Sequence, residues 1–164
     1  MKDEEGNLYT TRNPLSKWDY YEVGGRFSGL LRTKDGKRTD EGRVGDLDFS
    51  ADKDAYAEAL RFWDRNVEKK GKPKKGEEFF SLRSENYYKK TYGNREEYAR
   101  RASSFSTYAV VTPDGEWHEK GEMGWWAISY ASPEEAAAWT DSYEKKFIES
   151  ADPDLIMTII DCHI

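Results

Sequence analysis

The last third of the chain carries the punctuation that most restricts what it can fold into. Ser132-Pro133-Glu134-Glu135 places a capping hydroxyl, a proline at the first helical position and a glutamate at the third, the signature of a helix start. Trp139, Tyr143 and Phe147 then recur at spacing four and define one apolar stripe. Asp152-Pro153 stops the helix, and Leu155 to Ile164 reads as an apolar final strand. Upstream, the stretch from Ser106 to Thr112 and the stretch from Glu116 flank the turn Pro113-Asp114-Gly115, which predicts a hairpin. Hairpin, helix and strand in that order are half of a split sandwich. The expected class is therefore α+β, an antiparallel sheet with helices packed on one face.

The remaining chain is read around that frame. Residues 1–16 are a polar, irregular lead-in, and Trp18 to Leu31 reads as strand interrupted at Gly24-Gly25. Lys34-Asp35-Gly36-Lys37 is a turn. Ser50 caps a helix over about 51–69, with Tyr56, Ala59, Leu60, Trp63 and Val67 on one face. Asn94-Arg95-Glu96-Glu97 opens a shorter helix. The whole reads as a single domain, 1–164, with a charged, tyrosine-rich helical insertion at about 69–104. Hydrophobic content of 37% barely exceeds the charged 35%, so the 15% of aromatic residues must supply most of a small core.

Composition also excludes partners. A net charge of -6 gives no general attraction to nucleic acid, which is not an expected partner. One cysteine, Cys162, rules out an internal disulfide and suits a reducing cytosol. No apolar run is long enough to span a membrane, and Met1-Lys2-Asp3-Glu4-Glu5 does not resemble a signal peptide. A cytoplasmic location is expected.

Two separated segments hold the residues suited to chemistry. In the first, the backbone of Gly24 and Gly25 and the guanidinium of Arg26 suit a phosphate, while Trp18, Tyr20, Tyr21 and Phe27 offer faces for a base. The competing reading is an aromatic core strand with Arg26 paired to Asp19 or Glu22. In the second, His118 follows Trp117, with Glu119 and Glu122 close by in sequence. At the chain's end Asp161 and His163 share one face of the final strand, roughly 6.5–7 Å apart along it. They form a candidate proton-handling pair, or else the strand simply leaves the core there. If the hairpin pairs beside the final strand, His118 and His163 converge and flank a phosphodiester as acid and base. His-x-Glu alone does not make a metal site, and neither metal nor cofactor is assigned. Cys162 points away from His163. The basic run Lys69-Lys70-Gly71-Lys72-Pro73-Lys74-Lys75 reads first as a solvated linker, and otherwise as a patch for an anionic partner that Arg95, Arg100 and Arg101 extend.

Several of these segments resemble those of a family of small bacteriophage and prophage proteins. The resemblance rests on Asn13-Pro14, Lys17-Trp18-Asp19-Tyr20-Tyr21, Gly24-Gly25-Arg26-Phe27 and Gly42-Arg43-Val44-Gly45-Asp46-Leu47-Asp48. Thr112-Pro113-Asp114-Gly115-Glu116-Trp117-His118, Gly121-Glu122-Met123-Gly124-Trp125-Trp126 and Asp161-Cys162-His163-Ile164 continue it. Members of that family often begin with a further N-terminal stretch. A shortened sheet, or an edge supplied by another chain, is expected if that stretch is a strand. The resemblance implies a phage accessory protein in the cytoplasm of a bacterial host, a class that counters immunity, and it carries no activity of its own.

Three functions follow as expectations. The leading one is capture of an anionic, nucleotide-like small molecule by Trp18, Tyr20, Gly24, Gly25, Arg26, Trp117, His118 and His163. The second is a phosphodiesterase with His118, His163 and Asp161 as catalytic groups, so enzymatic activity is left open. The third is an inhibitor that binds a host immune protein through residues 77–104, where Phe79, Phe80, Tyr87, Tyr88, Tyr92 and Tyr98 supply interface-favoured rings. Open strand edges also allow a homo-oligomer.

Overall fold

Four antiparallel strand pairs and four α-helices make up the described part of a computed structural model of the chain, namely residues 5–6, 18–71, 81, 83–124 and 129–163. The α+β expectation holds, with the strands in four separate pairs. Most of the lead-in, the basic run from 72 to 75, Phe79, Phe80, Trp125, Trp126 and Ile164 lie outside the described residues. The chain divides into two units, one built from residues 1–48 and 152–164, the other from 49–151.

In the first unit β1 (Tyr20–Val23) pairs with β8 (Ile160–His163), and β2 (Leu31–Arg32) pairs with β3 (Arg38–Thr39) across the Lys34–Lys37 turn. β4 (Glu41–Arg43) pairs with β7 (Ile156–Thr158). The single final strand expected from 155 onward is thus broken at Ile159. The Ile159 N–H donates to the Asp40 carbonyl, while its own carbonyl accepts from the Gly24 N–H. One residue therefore ties both strand pairs together. Ile159 is buried with Leu31 and Leu47, and these aliphatics form the small core of this unit.

In the second unit α1 (Lys53–Asn66) begins later than the Ser50 cap would place it. The Asp52 carboxylate accepts from the Asp54 and Ala55 N–H groups and sets the start. The helix also ends short of 69, where Lys70 N–H closes back on the Asp64 carbonyl. α2 (Glu85–Tyr92) was not anticipated, whereas α3 (Arg95–Ser103) begins at the expected cap, Asn94 accepting from the Glu97 N–H. Trp63, Ala59, Val67 and Ala99 are buried between α1 and α3. Tyr88 and Tyr98 pack on Phe62, and Tyr92 packs on both tyrosines. Burial pushes the Tyr98 hydroxyl up to about 12. These half-buried tyrosines form one aromatic cluster with Phe62 at the margin of the helical core.

The hairpin of β5 (Ala109–Val111) and β6 (Trp117–Glu119) turns at Pro113–Gly115 as the sequence predicts. α4 (Pro133–Tyr143) opens with the expected capping box, in which Ser132 and Glu135 bond each other's backbone. A π-turn, Glu144–Ile148, extends it, and its wider winding lets the consecutive residues Phe147 and Ile148 both face inward. Trp139, Tyr143 and Phe147 form the expected stripe, with successive ring centroids 5.8 and 5.3 Å apart. Arg100 and Arg101 both reach Asp141 on α4, and Arg95 forks onto Asp64. The expected extension of a basic patch by Arg95, Arg100 and Arg101 is therefore corrected, because each guanidinium is held by a carboxylate. No helix among the described residues is long and apolar enough to cross a membrane.

The reciprocal cap on α4 is open to a direct test. Ser132→Ala should cost about 1 kcal/mol and lower the melting temperature by a few degrees. Ser142→Ala, whose hydroxyl bonds a carbonyl inside the same helix, should leave it unchanged or slightly raised. Circular dichroism on heating reads both.

Candidate functional site

Gly24 and Gly25 adopt left-handed backbone angles, φ 70° and 51°, directly after β1. Two carboxylates crowd them, one from the bend between β3 and β4 and one from β8. A side chain on Gly24 would collide with the carboxylate of Asp40, and a Cβ on Gly25 would lie 2.5 Å from that of Asp161. Asp40 accepts from the Gly29 N–H at 2.6 Å and the Ser28 hydroxyl at 3.0 Å. Asp161 accepts three bonds from a single residue: the Arg26 backbone N–H at 2.9 Å, Nε at 2.7 Å and Nη2 at 2.6 Å. The turn is an anion cradle in which the anions are the protein's own side chains.

The Arg26–Asp161 pair is asymmetric. The Asp161 side chain is 1% exposed while that of Arg26 is 66% exposed. Hydrogen bonds from the guanidinium and from the Arg26 backbone hold the Asp161 carboxyl well below the usual carboxylate range, and the same bonds raise Arg26. The expected partners of Arg26, a phosphate or else Asp19 or Glu22, are thus corrected to Asp161. The Gly24 N–H bonds to the Ile159 carbonyl, so it is not a phosphate donor. Asp40 was missed by sequence reasoning. The signal for Asp161 was present, since a lone carboxylate in an apolar strand requires a cation.

Asp161 and His163 do share a face, as alternation along the strand requires. They do not form a hydrogen-bonded pair. His163 Nε2 is buried without a hydrogen-bond partner and lies 3.6 Å from Asp161 Oδ2. The imidazole instead stacks flat on Tyr20, 4.4 Å between centroids and 4° between planes. A carboxylate stabilised by three donors is a weak base, which argues against Asp161 as a proton acceptor. Cys162 lies opposite Tyr21 on the other face, and burial pushes its thiol up, away from nucleophilic use.

His118 belongs to the second unit. Its Nε2 is 3.7 Å from Glu116 Oε2 and its ring packs 5.3 Å from Phe147. Neighbouring Trp117 donates from Nε1 to Glu119 Oε2 at 2.6 Å. The hairpin pairs only with itself among the described residues, while β8 pairs with β1. The condition set for His118 and His163 to converge, a hairpin beside the final strand, is therefore not met. Of the residues singled out in sequence, Tyr20, Gly24, Gly25, Arg26, Asp161 and His163 come together in the first unit, with half-buried Trp18 just ahead of β1. Trp117 and His118 belong to the second unit.

The surface around the cradle is aromatic and acidic. Tyr20, Tyr21, Val23 and Phe27 are each roughly half exposed, and the Arg26 guanidinium lies 5.7 Å from the Phe27 ring centre. Asp19, Glu22 and Asp40 belong to this segment or pack against it, together with Asp161, which Arg26 holds, and the Arg38 side chain, which packs at Gly29.

Two outcomes test the cradle. Glycines 25 and 36 both have positive φ, yet only Gly25 faces a carboxylate, so Gly25→Ala should destabilise far more than Gly36→Ala. Because Asp161 is lowered from an unfolded value near 3.9, its ionisation stabilises the fold above about pH 4. That contribution is lost as pH falls from there through the lowered folded value. Urea unfolding at descending pH should show this loss in the native chain and a flatter acid limb in Asp161→Asn.

Compared with known proteins, the chain matches no family model, no curated protein and no solved structure, so function rests on this geometry.

Proposed function

We propose that the chain is a protein-binding module whose docking surface is β1 with the turn that follows it, and whose partner presents a basic segment. The charge inventory carries this reading: Arg26 is committed to Asp161, and the exposed rings of Tyr20, Tyr21 and Phe27 stand on the same strand and turn as the exposed carboxylate of Glu22. Such a surface repels a polyanion and attracts cations, both by Coulomb forces and through the ring faces. Exposed tyrosine is also enriched at protein interfaces.

The docking surface thus moves from residues 77–104 to β1, because Tyr88, Tyr92 and Tyr98 are half-buried against Phe62 and one another while Tyr20 and Tyr21 stand open. In the setting that the phage resemblance implies, the partner is a host immune protein and the module is its inhibitor, acting in the bacterial cytoplasm. One observation favours nucleotide capture as a second reading. The Tyr20 ring is open to solvent above His163, and the part of Arg26 not gripped by Asp161 faces outward. The two-histidine phosphodiesterase has no comparable support.

Titration calorimetry separates the two. A lysine-rich peptide should bind at low salt, weaken as salt rises, and lose about tenfold in affinity to Glu22→Lys. Mononucleotides and cyclic dinucleotides should give no heat. Nucleotide binding that disappears in Arg26→Ala would overturn the protein-binding reading.

A further inference from the structure

β1 is exposed along its whole length, and β8 occupies only one of its two edges. The bond from the Gly24 N–H to the Ile159 carbonyl sets the parity of the ladder. The Gly24 N–H and the backbone groups of Glu22 face the β8 side, so those of Tyr21 and Val23 point to the opposite edge. No strand among the described residues covers that edge. An open edge with half-exposed apolar side chains is a template for another strand, and a two-stranded ribbon gains stability from a third.

The side chains specify the occupant. Tyr20 and Glu22 share one face of β1 with Asp161 and His163, whereas Tyr21 and Val23 share the other with Cys162 and Ile160. Residues of an added strand that fall on the first face meet a carboxylate and an open ring, which select Lys or Arg. Residues on the second face meet tyrosine and aliphatic side chains, which select Val or Ile. A second copy of β1 would instead bring further carboxylates, Asp19 and Glu22, to an edge that already carries them. We infer that β1 receives an extended partner segment by strand addition, with basic and β-branched aliphatic residues alternating along it. This rests on the protein-binding reading and adds the mode of recognition.

The test uses the full chain and a short peptide in which Arg and Val alternate. Two controls accompany it: an isomer with the same residues in two blocks, and the alternating peptide N-methylated along one edge, made in both versions. The alternating peptide should bind and slow amide hydrogen exchange at Tyr21 and Val23 by roughly tenfold. The block isomer and one of the two N-methylated versions should bind roughly tenfold more weakly. Equal affinity of all four peptides, with Glu22→Lys still weakening each, overturns strand addition while leaving the protein-binding reading in place. Absence of binding by any of them overturns both. A stable dimer at sedimentation equilibrium, with Tyr21 and Val23 protected before peptide is added, assigns the edge to a second copy and overturns the inference.

Discussion

Asp161 is the group around which the first unit is arranged. A carboxylate in the middle of an apolar strand, 1% exposed, is tolerated only where donors surround it. Arg26 supplies all three, two from its side chain and one from its backbone, and the backbone bond requires a turn tight enough to bring that N–H inward. The tight turn requires positive φ at Gly24 and Gly25, and the absence of side chains there lets Asp161 and Asp40 approach. One buried charge thus accounts for the Gly-Gly-Arg sequence, for its position after β1, and for the pairing of β1 with the end of the chain.

The same interaction alters what the surface offers. A guanidinium with no partner among aromatic rings would be a phosphate site. Once a buried carboxylate holds it, the residue becomes a strut, and the local field is set by the acids that remain. Rings beside an acid along an open strand edge are the chemistry on which the proposed protein contact rests. The rest of the molecule is consistent in composition: in the helical unit Arg95, Arg100 and Arg101 are likewise each held by carboxylates.

Legibility in the sequence followed the range of the interactions. Local devices were readable, because a cap or a turn is written in adjacent residues: Ser132 with Glu135, Asn94 with Glu97, and Pro113-Asp114-Gly115 all appear as expected. The start of α1 was misplaced because Ser50 and Asp52 are both competent caps and only the folded chain chooses between them. α2 escaped notice because its tyrosines read as a surface until Phe62 and α3 pack against them. In the candidate site the face shared by Asp161 and His163 was legible from alternation. The partner of Arg26 was not, because 135 residues separate the two and two nearer acids compete in the sequence. The convergence of the histidines depended on strand order, which no local pattern encodes.

That separation of 135 residues bears on how the molecule is made. Residues 49–151 form a unit whose internal contacts are complete before β7 and β8 have been synthesised. β1, β4 and Arg26 are translated before residues 49–151 and must wait for strands translated after them. Closing so long a loop is slow, and during that wait the aromatic strand lacks its β8 partner. Its acids then serve as gatekeepers against aggregation of the nascent chain. The edge proposed for docking takes its final form only on a chain that has been translated through β8, so products truncated before it lack that edge in its paired form.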